Sequence, residues 1–502
     1  MATENPESVS ETYEAFSDHV ERLTYLNDAG AVLAWDQQVT MPEGGTPARS
    51  KQSAAMSSVT HDLLTDDRVS DWLDELEDAD LDAEQAAVVR EVRREHDRAA
   101  KVPEELVSEI SETASNALPV WEQAKAEDDF ESFAPTLETM VELKREYAAA
   151  IDPDRDPYAV LFEEYEPYLG LDTAERILER LRDELVELID EIKASDADLA
   201  DPFTGEYDPD DQEELVREAL DQLGYDWDRG RLDTAPHPFS TGTQFDARVT
   251  TRFDPEDPMG AIGSTIHEFG HATYTLGLPD DQYGTPLGDS RDLSVHESQS
   301  RFWENHVGRT AAFWDFFTPT VEDHLGTSAS PQDFFEAANQ IYPENLIRVE
   351  ADELTYHLHI ILRFEIERDL ISGDLDVADV PQVWNDKMEE YLGVRPETDA
   401  EGCLQDIHWT HGNFGYFPTY SLGSVLAAQI DAAVREDLDS DVDELIREGE
   451  FGPLHEWLTE NVHRHGCRYT TDDLIREATG EAFTADYFLD YATEKFGSLY
   501  DL

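Results

Sequence analysis

The alternation of apolar and polar residues is helical over most of the chain. Apolar positions recur at helical spacing over residues 10–35, 70–115, 119–150, 172–196 and 209–224. They do so again over 299–317, 331–342, 345–370, 380–392, 421–435 and 441–447. That period lines one helix face with apolar side chains, so the pattern predicts a mainly α-helical protein. Ser10, Asp172 and Ser330 stand where helices would start. Residues 238–253 have a different texture, rich in threonine and aromatics with Gly242 inside, and predict a short hairpin or edge strand. No internal repeat interrupts the pattern. The acidic loop near 197–211 is the only passable linker, and it is short. One folded unit over 1–502 is therefore expected, with an N-terminal helical lobe over about 1–235 and a core over about 236–502.

Apolar residues make up 40% of the chain, enough for a globular fold rather than a disordered one. No apolar run is long enough to span a membrane. The start, Met-Ala-Thr-Glu-Asn-Pro-Glu-Ser, lacks the basic and apolar regions of a secretion signal. Cys403 and Cys467 are too few for a disulfide framework. These features favour the cytoplasm. The charge balance is extreme: 115 acidic against 36 basic residues, net -79. Such a chain repels phosphate backbones and anionic lipid, so neither nucleic acid nor a membrane surface is an expected partner. The acid is spread along the chain and lysine is scarce, as in proteins of salt-loving cytoplasms. There, high ionic strength screens self-repulsion.

The chemistry concentrates in Pro258-Met-Gly-Ala-Ile-Gly-Ser-Thr-Ile-His267-Glu268-Phe269-Gly270-His271 and its continuation to Gly277 and Pro279. Pro258 suits a helix start, and Gly277 with Pro279 suits its end. Ile262, Ile266, Phe269 and Leu276 form the core-facing stripe. His267 and His271 are one turn apart on a single face, so both imidazoles can reach one metal ion at about 2.0–2.1 Å. Glu268 points past that ion and can act on its water without binding it, which is the logic of zinc peptidases. Two surface histidines on an acidic helix would be the plain alternative. Gly270 lets a neighbouring backbone come close.

A third ligand is needed. Glu297, in Ser294-Val-His296-Glu297-Ser298, precedes a helix expected to begin near Ser298 and is the best candidate. Asp289 and Asp292 are acidic alternatives nearby. His296 is an alternative ligand, though the reading preferred for it is a support behind the site. Three protein ligands would leave the fourth corner open, as catalysis requires.

The chain resembles the carboxypeptidase Taq family of metallocarboxypeptidases. The resemblance rests on Asp246-x-Arg248-x-Thr250, His267 to His271, His296 to Ser300, Ile347-Arg348-x-x-Ala351-Asp352 and Gly402-x-x-Gln405-Asp406-x-His408-Trp409, in that order. N-terminal residues from Leu23 to Arg49 and the C-terminal Tyr491 to Tyr500 extend it over nearly the whole chain. Gln244-Phe245 before Asp246 and the excess of acid depart from the family. The resemblance implies a broad-specificity carboxypeptidase that removes single residues from peptide C-termini. It implies a helical fold cut by a deep groove with a small sheet beside the site. It also implies a homodimer, with zinc as the default metal and cobalt as an alternative activator.

In that frame Glu268 is the general base, and His408 and Tyr420 are candidates for stabilising the tetrahedral charge. Asp406 would orient a neighbouring histidine. Binding a terminal carboxylate calls for a forked guanidinium. Arg348 is the first candidate, then Arg248 and Arg252, with Asp246 in the same motif. Arg348 and Asp352 are four apart, so a plain on-helix ion pair, or one holding Arg348 in pose, is the structural alternative. Arg248 is alternatively a stop at the groove's end. An endopeptidase with the same metal helix, or a metal-binding scaffold without catalysis, are the competing readings.

Overall fold

The computed structural model describes residues 6–502. Residues 1–5, where the sequence read as free of a secretion signal begins, lie outside the described residues. Helices dominate, as the periodicity predicts, and among the described residues there is one sheet, of three strands. No described helix is long and apolar enough to cross a membrane.

The expected elements meet the structure closely where local caps are strong. Ser330 opens Pro331–Ala338 through a reciprocal capping box with Asp333. Val380–Leu392 ends at Gly393 in the left-handed region. Leu171–Ala194 begins one residue ahead of the predicted start, so Asp172 lies in its first turn. The first helix begins at Pro6, before Ser10.

Elsewhere the boundaries move, with physical causes. Residues 70–115 are not one helix: Asp66 caps Asp67–Glu77, and an Asp82–Gln85 capping box starts Ala83–Lys101. After Pro103, Glu104–Glu127 runs straight through Pro119. The predicted helix over 345–370 begins only at Thr355, because Asp352 accepts hydrogen bonds from the Leu354 and Thr355 amides (3.0 and 2.9 Å) and caps it there. Thr46–Leu64 escapes the periodicity, since Arg49 is its one buried residue.

Residues 240–251 form the expected hairpin, strands β2 (Ser240–Thr243) and β3 (Asp246–Thr251). A further strand, β1 (Gly230–Thr234), pairs in parallel with β3, with Leu232 opposite Val249. Thus β3 is central, and Ala247 and Val249 are fully buried. A lobe boundary near 235 therefore falls inside the sheet. One buried apolar cluster runs from Val102 to Tyr500, and a smaller one gathers Phe16, Val69, Leu73 and Val88. Buried Arg291 ties the two, donating to both carboxylate oxygens of Glu91 (3.0 and 3.1 Å).

Candidate metal centre

The helix Pro258–Gly277 lies beside the sheet, with Asp257 accepting from the Gly260 amide at its start. Ile262, Ile266 and Phe269 are buried as the stripe predicts, and Leu276 is part-buried. His267 and His271 project from one face with ring centroids 4.9 Å apart. Each imidazole is held from behind. His267 Nδ1 meets Glu304 Oε2 at 2.8 Å, and His271 Nδ1 meets His296 Nδ1 at 2.6 Å. Both Nε2 atoms consequently face Glu297 Oε2, at 3.7 and 3.4 Å. Two ligands at about 2.1 Å from a tetrahedral ion lie roughly 3.4 Å apart, so this spacing fits one divalent cation. Among the described residues these three side chains form the one group of histidine, cysteine and acid with such spacing.

Glu297 lies inside the helix Leu293–Arg301, not ahead of a helix starting at Ser298. The earlier start is capped from a distance: buried Glu166 accepts from the Ser294 amide and hydroxyl, both at 2.6 Å. Two glycines let the site close. A Cβ on Gly270 would stand 2.5 Å from Gln299 O, and one on Gly423 would stand 2.5 Å from Glu297 Cβ. Arg301, four residues on, donates Nε to Glu297 Oε1 at 2.7 Å, so Oε2 faces the imidazoles, with the Ser300 hydroxyl 3.3 Å from it. The helix then continues into a π-helical turn, Phe302–Gly308, which carries Glu304. Glu304 also accepts from Arg301 Nη1 (3.0 Å) and Arg309 Nη2 (2.7 Å).

The electrostatics agree with a cation site. Burial opposes ionisation of Glu297, but Arg301 and the imidazoles outweigh it and hold its carboxyl well below the usual range. Burial likewise opposes the charge on His267, yet Glu297 and Glu304 raise its pKa. His296 is pushed down to about 3 by burial and by His271; with His271 Nε2 turned to the cation site, the His271 Nδ1–H is the donor to His296 Nδ1. Burial raises the pKa of Glu268, whose Oε2 has no hydrogen-bond partner among the described residues. A buried unpartnered carboxylate beside an open cation site fits a base awaiting a water proton. Carboxylates behind ligating histidines fix ring orientation and raise basicity. Glu304→Gln is therefore expected to weaken metal affinity roughly 10- to 100-fold. Competition with a coloured chelator measures it; an unchanged affinity would contradict this role for Glu304.

His267 and Glu268 face a cavity of about 790 Å³, which Arg301, Arg309, Arg348 and Tyr356 also line. Arg348 is buried and does not pair with Asp352. The two share no helix, since Arg348 lies in a short turn before Thr355 and Asp352 is engaged in capping. Asp406 holds Arg348 instead: Nε and Nη2 both donate to Asp406 Oδ1, at 3.0 and 2.8 Å. Arg363, fully buried, donates to Asp406 Oδ2 at 2.6 Å. Asp406 thus orients arginines first. His408 Nδ1 lies 3.7 Å from it, without a hydrogen-bond partner among the described residues. Tyr420 donates to the Tyr416 hydroxyl at 3.2 Å and lies 5.9 Å from the Tyr356 ring.

The other candidates lie apart from this cavity's lining. Arg248 is paired with Asp246 (2.6 Å) and stacks over Trp35, its Cζ 4.2 Å from the ring centre. Arg252 is exposed at the end of β3. Asp292 is bound to Arg291 at 2.7 Å and to the Thr471 hydroxyl. Asp289 lines a separate cavity of about 330 Å³ with His296. The sequence reading passed over Arg301 and Glu304. Their spacing of four and seven from Glu297 is the missed signal, legible once Glu297 is placed within a helix.

Comparison with known proteins matches residues 15–496 to the family model described as carboxypeptidase Taq (M32) metallopeptidase. The chain is 38% identical to carboxypeptidase 1 of Bacillus subtilis, over 97% of this chain and 99% of that protein. It is 37% identical to thermostable carboxypeptidase 1 of Thermus thermophilus, over 97% of this chain and 99% of the relative. Among solved structures, the M32 carboxypeptidase of Deinococcus radiodurans aligns with a TM-score of 0.94 at 35% identity, covering 98% of this chain and 100% of that one.

Proposed function

The chain belongs to the carboxypeptidase Taq (M32) family of metallopeptidases, and from that premise we propose that it removes single residues from peptide C-termini with broad specificity, using His267, His271 and Glu297 to hold one zinc ion. The observation that carries the reading is the convergence of two Nε2 atoms on Glu297 Oε2 beside the unpartnered Glu268 carboxylate. Cobalt suits the same donor set. We also take the chain as one catalytic unit over 1–502, a homodimer, and a protein of the cytoplasm, as the family resemblance and the sequence composition suggest.

When bound, a divalent ion supplies Lewis acidity and lowers the pKa of a water ligand from 15.7 to about 7. Glu268 takes a proton at the buried carboxylate and passes it to the leaving amine. Neutral His408, pushed down to about 4 by burial, and Tyr420, whose hydroxyl must turn away from Tyr416 to do so, are assigned as donors to the developing oxyanion. Arg348 receives the terminal carboxylate. Its donor inventory supports this. Of five N–H groups, two are engaged by Asp406 and one by the Tyr356 hydroxyl at 3.2 Å. One N–H on each of Nη1 and Nη2 is left, the edge that grips a carboxylate in parallel. Arg248, held by Asp246 over Trp35, and exposed Arg252 are assigned to more distant parts of the substrate path. Asp352 supports the site by starting the helix that carries Tyr356.

Mass spectrometry of a peptide digest tests the reaction. With zinc or cobalt added, the expected products form a ladder shortened one residue at a time from the C-terminus. C-terminal amidation should remove most of the rate. Internal fragments from both peptides would establish an endopeptidase instead.

The acidic surface carries a separate expectation. At roughly 1 M salt the screening length is about 3 Å, so repulsion within a chain of net charge -79 is damped. We propose adaptation to such a medium: folding and activity should collapse in dilute buffer and return with salt. Circular dichroism across a salt series reads this, and full stability at low ionic strength would refute it.

A further inference from the structure

Tyr356 stands in the first turn of the helix Thr355–Ser372, and its side chain lines the large cavity. The ring is fixed on several sides. Arg301 Cζ lies 5.4 Å and Arg348 Cζ 6.0 Å from its centre, and the Tyr420 ring meets it edge-on at 5.9 Å. Its hydroxyl accepts from Arg348 Nη1 at 3.2 Å. The phenolic proton, by contrast, has no hydrogen-bond acceptor among the described residues. The serine hydroxyls in the same wall do: Ser264 donates to Ala261 O and Ser424 to Tyr420 O, both at 3.3 Å.

The position of that free proton decides what it serves. The hydroxyl is anchored to Nη1, the nitrogen that also contributes to the unused guanidinium edge. An anion on that edge therefore lies beside the hydroxyl as well. A carboxylate has about four lone-pair sites, two for the guanidinium and others for a hydroxyl donor. A C-terminal amide would instead point its own N–H groups at donors and leave them unpaired. Sites built to hydrogen-bond one group reject the analogue lacking it far more strongly than apolar pockets reject a methylene.

We propose that the Tyr356 hydroxyl is the third donor of the carboxylate site, which makes it a specificity-determining residue for free C-termini; this rests on Arg348 being the carboxylate clamp. Tyr356 acts on ground state and transition state alike, because the terminal carboxylate keeps its charge throughout the reaction.

Tyr356→Phe keeps the ring and removes only the hydroxyl. With the zinc-loaded enzyme and one alanine-rich peptide in free-acid and amidated forms, KM for the free acid should rise roughly 10- to 100-fold with kcat little changed. The rate on the amidated peptide should fall far less. An unchanged KM overturns the proposal, even if kcat falls. So does an equal loss on both peptides. Arg348→Met separates the two levels. If it abolishes the preference for the free acid while Tyr356→Phe keeps it, only the tyrosine's role fails. If it leaves the preference intact, the clamp fails and the tyrosine's role with it.

Discussion

Replacing Glu268 by glutamine is expected to lower kcat at least about 1000-fold while metal content stays at one ion per chain. Glutamine matches the shape of the side chain and cannot accept a proton. Glu268 is outside the ligand group, so the two Nε2 atoms and Glu297 Oε2 keep their spacing. Its Oε2 has no hydrogen-bond partner among the described residues, so the change breaks no network. Burial already raises its pKa, and glutamine relieves that cost, so thermal stability should hold or rise. Single-turnover rates with metal analysis measure the effect. Retained turnover would remove Glu268 from the mechanism.

The second large effect is at Arg348, in the wall of the same cavity. Arg348→Met should reduce kcat/KM for free-acid peptides roughly 100- to 1000-fold, mostly through KM. The loss concerns substrate more than fold, because Asp406 keeps its 2.6 Å contact with Arg363 when Arg348 is gone. Lysine should restore little, since a point charge cannot reproduce two parallel N–H donors. Rates on matched free and amidated peptides show whether the preference for a free terminus has disappeared.

The metal helix is legible in the sequence because everything that defines it is local. Pro258, the i to i+4 histidines, the apolar stripe and Gly277 all lie within one element. The neighbouring Glu297 is legible as a candidate ligand but not in its setting. Its helix starts earlier than the chain suggests because the cap is Glu166, more than a hundred residues upstream. Arg348 shows the same limit in reverse. Four-residue spacing pairs it with Asp352, but Asp352 is taken up capping Thr355, and Asp406 supplies the counter-charge from another segment. The strand β1 hid because only Leu232 among its residues is buried, leaving no alternation to read. Arg301 and Glu304 lie in a helix that passes into a π-turn, where a strict 3.6-residue pattern no longer tracks the face.

The most direct measurement is a crystal structure of the zinc-loaded protein with anomalous scattering at the zinc edge. One peak should sit about 2.0–2.2 Å from His267 Nε2, His271 Nε2 and a Glu297 oxygen, with solvent at the remaining corner. An ion bound elsewhere, or one whose coordination excludes Glu297 or leaves no place for water, would contradict the account at its base.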